Sequence, residues 1–467
     1  MDRLKHDILL RAVKLINLVL ITVPFALCWV NYYAPRTASR YYWKGNCLVT
    51  ALFAILYFIY GRVYESFLVS LSRISEMIYS QLLAMLISDG ILYVLAWLLI
   101  KRLPAVYPML CVLAGQLLLS ALWSVLVHRW YFKTFPAMKS AIIYDMRRGF
   151  DGLINEYGMD RKFDICVTAS AEKCMDNLSI LDGMEAVFLS GIHSHERNRI
   201  LKYCVEKDIR AYVIPRIGDV LMSGAKRMHM FHLPILRVER YAPSPEYLFF
   251  KRFSDILLSL AALVLLSPVM LVTALAIRLT DGGPVFYRQC RLTKNGKKFN
   301  VLKFRSMRVD AERDGIARLS TGDKDPRITP VGSVIRKCRI DELPQLFNIL
   351  GGSMSLVGPR PERPEIASQY EAQMPEFRLR LQAKAGLTGY AQVYGKYNTT
   401  PYDKLQMDLM YIANPGFKED LRILLATVKV LFLPESTQGV AEGQVTANVH
   451  FDKSREIKSV DGHHQKV

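Results

Sequence analysis

Four long apolar runs dominate the first third of the chain: Leu15–Tyr33, Leu48–Tyr60, Ile78–Ile100 and Val106–Val127. Each reads as a membrane-spanning helix, the second being the shortest. Lys101 and Arg102 sit in the very short loop between the third and fourth runs, so these two runs form a helical hairpin. Arg3, Lys5, Arg11 and Lys14 precede the first run, and Arg129, Lys133, Lys139, Arg147 and Arg148 follow the fourth. Four spans return the chain to its starting side, and this basic excess puts both ends in the cytoplasm. Arg36, Arg40 and Lys44 count against that orientation. The first run is long and lacks a small-residue cleavage site, so it is expected to be an anchor rather than a signal peptide. Asp89 interrupts the third run, where an acid is either functional or paired.

The texture then changes. Short apolar runs, Ala141–Tyr144, Phe163–Val167, Ala186–Leu189 and Ala211–Ile214, alternate with helix-like stretches such as Arg197–Lys207. That alternation predicts a small parallel sheet covered by helices. The first strand runs into YDMRRGF without the G-x-G-x-x-G turn that lets a backbone approach a pyrophosphate. A regulatory or dimerising role is therefore expected here rather than dinucleotide binding. His193 and His195 have the residue type for a metal but sit in a polar loop, where histidines are usually solvated. The segment 242–246, APSPE, reads as a linker. The expected organisation is a four-helix transmembrane region over 1–135, a Rossmann-like domain over 136–245, a membrane-associated α/β catalytic domain over 246–435 and a polar tail over 436–467.

Composition narrows the partners. The chain is 51% hydrophobic and carries a formal charge of +19, with a mean hydropathy of +0.15. No Lys/Arg-rich tail or nucleic-acid module is present, so lipid head groups and phosphorylated substrates suit the charge better than nucleic acid. Eight scattered cysteines form no C-x-x-C pair, which excludes a zinc or disulfide framework and fits a reducing compartment.

The candidate chemistry lies in KCRIDELPQLFNILGGSMSLVGPRP, residues 337–361. The adjacent acids Asp341 and Glu342 share a short segment with Arg336, Arg339 and Arg360. Such carboxylates can hold a divalent cation or attack phosphorus. Arginine forks can hold phosphate oxygens. Pro359 and Pro361 stiffen the backbone on either side of Arg360. Upstream, the apolar run Ile256–Leu279 is broken by Ser267-Pro268. Proline there frees a carbonyl that needs a new partner, which the Ser267 hydroxyl can supply. Alternation around a KNGK turn predicts a β-hairpin leading into KFRSM, whose Lys303 and Arg305 are further candidates for phosphate binding. The stretch from Asp325 to Leu350 reads as loop and then helix, ended by Gly351-Gly352. QMDLMYI, residues 406–412, reads as an amphipathic helix at the membrane interface.

DELPQLFNIL, MSLVGPRP, KFRSM and AKAGLTGYAQV together resemble, in order and spacing, the bacterial sugar transferases, polyprenyl-phosphate hexose-1-phosphate transferases of exopolysaccharide, capsule and O-antigen synthesis. The chain departs from the family at Cys290, Leu292-Thr293, Lys384-Ala385 and Asn414-Pro415. The resemblance implies transfer of a hexose-1-phosphate, glucose or galactose, from a UDP-sugar to undecaprenyl phosphate with release of UMP. It implies that Asp341 forms a covalent phosphosugar intermediate, that Asp341 and Glu342 hold Mg²⁺, and that Arg336 and Arg360 hold phosphate. It also implies a re-entrant membrane helix broken at Ser267-Pro268, with the catalytic domain on the cytoplasmic face of the bacterial inner membrane. Membrane lipid and a second copy of the chain are the remaining expected partners. Two other readings compete. A glycosyltransferase releasing UDP needs an Asp-x-Asp site, and Asp323-Lys324-Asp325 has only the spacing, in a polar loop before Pro326. A non-catalytic scaffold would suit the middle domain but not the acidic pair with its arginines.

Overall fold

The computed structural model describes residues 3–39, 42–145, 150–309, 325, 327–395 and 399–431. The expected polar tail over 436–467 lies outside the described residues, as do Arg40, Arg147, Arg148, Asp323, Lys324 and Pro326. The chain divides into two compact units, Met1–Val213 and Ile214–Val467.

The first unit begins with four long helices. Helix α1 (Arg3–Cys28) continues through a π-helical turn, Trp29–Tyr33, and a 3-10 turn, Ala34–Arg36. Then come α2 (Trp43–Val63), α3 (Ile74–Ile100) and α4 (Tyr107–Thr134). All four are long and apolar enough to cross a membrane. Helix α2 extends five residues N-terminal to the apolar run that predicted it, through Trp43 and Lys44, since backbone bonding tolerates polar residues at a helix end. The α3–α4 hairpin turns at Lys101, which caps α3 in the left-handed conformation (φ 60°). Inside, Asn17 donates to Gln81 (3.2 Å), Ser120 donates to the same Gln81 oxygen (2.7 Å), and Tyr57 donates to Asn17 (2.8 Å). This chain satisfies polar groups that lipid could not. Asp89 is buried as well.

The same unit holds the expected sheet. Strands β1 (Met138–Tyr144), β2 (Phe163–Ser170), β3 (Ala186–Ser190) and β4 (Arg210–Val213) pair in the order β2-β1-β3-β4, all parallel. Helices α5 (Phe150–Glu156), α6 (Ala171–Asp176) and α7 (Ser194–Glu206) lie in the connections. Every residue of β3 is buried, as expected of a central strand covered on both faces.

The second unit opens with α8 (Ile217–Ser223) and a hairpin of β5 (Lys226–Met230) and β6 (Leu233–Arg237). Helix α9 (Pro245–Asp281) follows, capped by the Ser244 hydroxyl, which accepts from Tyr247 N. The predicted hairpin is present as β7 (Phe286–Leu292) and β8 (Lys298–Phe304), turning at Asn295 (φ 60°) and Gly296 (φ 72°). The rest of the body is α10 (Pro330–Lys337), α11 (Gln345–Leu350), β9 (Ser355–Val357), α12 (Pro364–Gln373), β10 (Gly386–Thr388), α13 (Tyr390–Tyr394), α14 (Pro401–Ala413) and α15 (Phe417–Leu431).

Two expectations fail in this unit. The helix expected to run to Gly351 breaks into α10 and α11, because Arg339 takes a left-handed conformation (φ 52°) and Pro344 cannot continue a helix interior. Helix α14 is not interfacial. Leu405, Asp408, Leu409, Tyr411 and Ile412 are all buried, and the four apolar ones join the main core with Ile349, Met354 and Ile423. Gln406 and Asp408 are buried too, Asp408 in an ion pair with Arg380.

Both ends of α9 pack on this body. Lys251 pairs with Asp420 (2.8 Å), Arg252 donates to the carbonyls of Ile349 and Leu350 (2.6 and 2.7 Å), and Asp255 accepts from Leu356 N (2.9 Å). Arg252 thereby caps the negative end of α11. Ile277, near the other end, packs with Phe304 and Ile335. Between them Val264, Leu265, Leu271 and Val272 face outward. Pro268 lacks the N–H that would reach Val264 O, and the Ser267 hydroxyl donates to that carbonyl instead (2.8 Å).

Candidate active site

The acidic pair sits in the 3-10 turn Ile340–Glu342, between α10 and α11. The left-handed Arg339 swings the chain so that the two acids follow the end of α10 immediately, beside β8. That conformation costs a non-glycine residue on the order of 1 kcal/mol and persists because the surroundings hold it. The tight seat of α10 helps. A Cβ at Gly332 would collide with the Ser306 carbonyl, just past the end of β8.

Strand β8 delivers Lys303, whose ammonium lies 2.9 Å from Glu342 Oε1. The loop after β9 delivers Arg360, whose Nη2 lies 3.1 Å from the same oxygen. Glu342 is 15% exposed and Arg360 is 42% exposed, so the arginine keeps a solvent-facing side. The two carboxyls are pushed apart. Burial, the largest influence on Asp341, raises its carboxyl to about 6, helped by the Glu342 charge and opposed by Lys303, Arg336 and Arg360. Burial acts on Glu342 in the same direction, but Lys303, Arg360 and Arg339 outweigh it and hold that carboxyl well below the usual range.

A second cluster holds the loop that carries Arg360. Arg380 donates to the Arg360 carbonyl (2.9 Å) and pairs with Asp408 (2.6 Å) and Glu362 (3.5 Å). Arg291 donates to Pro361 O (3.0 Å) and lies 3.8 Å from Glu362. Behind the loop the backbones of Gly358, Gly386 and Gly389 approach so closely that a Cβ on any of them would strike main-chain atoms. Rigid glycine packing on one side and Arg380 on the other fix where the Arg360 side chain begins.

The matched family model is that of the bacterial sugar transferases, over residues 246–434. An exopolysaccharide production protein PSS of Rhizobium leguminosarum bv. phaseoli is 41% identical over 187 residues, which cover 38% of this chain and 92% of that protein. The chain belongs to the bacterial sugar transferase family. A UDP-N-acetylgalactosamine-undecaprenyl-phosphate N-acetylgalactosaminephosphotransferase of Aeromonas hydrophila is 39% identical over 239 residues, 50% of this chain and 55% of that one. A UDP-glucose:undecaprenyl-phosphate glucose-1-phosphate transferase of Xanthomonas campestris pv. campestris is 36% identical over 231 residues, 48% of each chain. The match spans only about half the length of these two relatives.

Within this member of the family, Lys303 and Arg360 meet on Glu342, and Arg336 and Arg339 lie close enough to act on the two carboxyls. Arg305 is buried with its guanidinium against Gly283, where a Cβ would collide with it. Ser267 and Pro268 lie on the outward-facing middle of α9. His193 lies 3.6 Å from Asp145. No group of three or more potential metal ligands occurs among the described residues. Glu342 Oε1 is already committed to two cations, which leaves Asp341 and the second Glu342 oxygen as hard donors. That set fits Mg²⁺, which uses one or two carboxylates with substrate phosphates and water, better than a complete protein cage for Zn²⁺ or Ca²⁺. The sequence reading missed Arg291, Glu362, Arg380 and Asp408. They are spread over more than a hundred residues and have no shared spacing to betray them.

Arg380 and Asp408 are 5% and 1% exposed. Arg380→Met would leave a buried carboxylate unpaired and should cost about 3–5 kcal/mol. Arg380→Met with Asp408→Leu should recover most of that loss. Thermal unfolding of the detergent-solubilised protein measures both, and a single variant as stable as wild type would contradict the assigned role.

Proposed function

We propose that the chain transfers a hexose-1-phosphate from a UDP-sugar to undecaprenyl phosphate, releasing UMP, through a covalent phosphosugar on Asp341. The observation that carries this reading is the division of labour between two adjacent carboxyls. Glu342 is pinned and ionised between Lys303 and Arg360. Asp341 is the more basic of the two, and so the better nucleophile once ionised. The names of the relatives support the reaction class but carry different sugars, N-acetylgalactosamine and glucose. Glucose or galactose is our expected donor.

In the first step an Asp341 oxygen attacks the β-phosphorus. The bond from that phosphorus to the bridging oxygen breaks, and UMP departs with the electron pair. In the second step a phosphate oxygen of the acceptor attacks the same phosphorus and the Asp341 carboxylate is released. Both substrates are anions, and Arg336, Arg339, Arg360 and Lys303 offset the repulsion between them and the acids. Mg²⁺, when held by Asp341 and Glu342, would supply further neutralisation of the diphosphate. Arg360 has the solvent-facing fork needed to grip a phosphate while its other side stays on Glu342.

The reaction is placed at the cytoplasmic face of the bacterial inner membrane, with α9 entering the bilayer and returning. Asp255 and Ile277 are separated by about 33 Å of helix if it is straight, close to the full ~30 Å hydrocarbon core. A spanning helix would separate its two contact regions by that core, yet both pack on one body. Helix α9 runs without interruption through Pro268, and the backbone hydrogen bond lost there, with the Ser267 hydroxyl on Val264 O in its place, makes this the position where the helix bends most easily.

Purified protein with Mg²⁺, undecaprenyl phosphate and a panel of UDP-sugars should release UMP with one sugar. Asp341→Asn should lower that rate by at least about 10³-fold while unfolding at the wild-type temperature. UDP release, or near-normal UMP release from Asp341→Asn, would remove the reading. In the same assay kcat/KM for the donor should fall tenfold per pH unit below about 6, because protonation of Asp341 removes the nucleophile. A profile flat down to pH 4.5 would contradict that role. For the helix, single cysteines at Glu246 and Thr280 in a cysteine-free background should both resist a membrane-impermeant thiol reagent added outside intact cells. Both should react in inverted vesicles. Labelling of one from each side would show that α9 crosses.

A further inference from the structure

A cavity of about 1020 Å³ lies in the second unit away from the acidic pair, with none of Lys303, Asp341, Glu342 or Arg360 in its lining. One wall is basic. Lys226 and Arg237 come from the two edges of the β5–β6 hairpin, and Arg240 follows shortly after. The lining also takes in Phe253, Leu257 and Leu258 of α9, which are apolar. These α9 residues are exposed and continue into the outward-facing stretch through Leu260, Val264 and Leu265. The cavity therefore joins a cationic wall to the surface of a helix long and apolar enough to cross a membrane.

The charges are not balanced locally. Glu239 is the single acid in the lining, shared by Arg237 (3.0 Å) and Lys226 (3.7 Å), while Arg240 donates to Asn295 (2.7 Å). These ion pairs are half-exposed, so each holds its partners weakly and can yield to a stronger anion. Three cations against one acid beside an apolar groove is the complement of an amphiphile with an anionic head.

We propose that this cavity binds a phosphate-headed lipid, with the head group on Arg237 and Arg240 and the chain along Phe253 and Leu257. The site is separate from the reacting carboxylates, so the inference goes beyond the transfer reaction and is read out by binding alone. The chemistry is shared by an anionic bilayer phospholipid and by undecaprenyl phosphate, and a comparison of the two assigns the source.

The test is native mass spectrometry of the full chain in detergent, titrated separately with phosphatidylglycerol, undecaprenyl phosphate, phosphatidylcholine and inorganic phosphate. Wild type and Asp341→Asn should bind one of the two anionic lipids with equal affinity, and phosphatidylcholine at least about tenfold more weakly. Arg237→Gln with Arg240→Gln should weaken the anionic lipid about tenfold or more. Leu257→Ala, which shortens the apolar contact without placing a charge on an apolar helix, should weaken it as well. Preference for phosphatidylglycerol makes this a resident-lipid site, and preference for undecaprenyl phosphate makes it a holding site for that lipid. Equal binding of charged and zwitterionic lipid, binding of inorganic phosphate alone, or no effect of the charge and Leu257 variants would overturn the proposal. Because Asp341→Asn retains binding here, loss of UMP release and loss of lipid binding remain separable.

Discussion

The clamp on Glu342 is the interaction around which the second unit is arranged. Two adjacent carboxyls in one turn cannot both lose water and stay ionised unless cations come to them. Neither cation comes from the turn itself. Lys303 arrives on β8 and Arg360 on the loop after β9, from opposite sides of the acidic pair in sequence. Gly332 lets α10 settle against the end of β8, and Gly358, Gly386 and Gly389 let the Arg360 loop lie close to β10. Arg380 holds the loop's backbone from the other side. Much of the packing in this body thus serves to bring two positive charges to one oxygen. The unclamped neighbour, Asp341, is left more basic than an ordinary aspartate.

Much of this was legible in the sequence, and for physical reasons. Membrane helices are read from composition alone, and the four apolar runs of the first unit each correspond to a long helix. The buried parallel sheet follows from alternating apolar strands and polar helices, and the KNGK turn from the left-handed preference of Asn-Gly. The acidic pair with Arg336, Arg339 and Arg360 was visible because those residues cluster in the chain. Arg380 and Asp408 were not visible, since their pairing depends on how a 3-10 segment and α14 meet in space. The same blindness explains α14, where Asp408 reads as a solvent-facing residue until its buried partner is known. The break between α10 and α11 was announced by Pro344, but nothing local marks Arg339 as left-handed. Arg305, beside the same motif in sequence, is buried with its guanidinium against Gly283.

Helix α9 links the chemistry to the bilayer. Its two ends are built into the body through Lys251, Arg252 and Asp255 at one end and Ile277 at the other. Arg252 holds the C-terminus of α11, the helix that starts just after the acidic pair. A helix with an exposed apolar face and the helix that follows the turn carrying Asp341 are thus directly hydrogen-bonded. Under the proposed transfer, an acceptor confined to the membrane and a donor dissolved in water would meet at one set of side chains.

The central claim is that Asp341 carries the phosphosugar. The most direct measurement is to mix the purified protein with Mg²⁺ and its UDP-sugar in the absence of lipid acceptor, quench in acid, and map the protein by peptide mass spectrometry. The account predicts a stoichiometric burst of UMP and a hexose-phosphate adduct on the peptide containing Asp341, discharged when undecaprenyl phosphate is added before the quench. No burst without acceptor, or an adduct on a different residue, would contradict it.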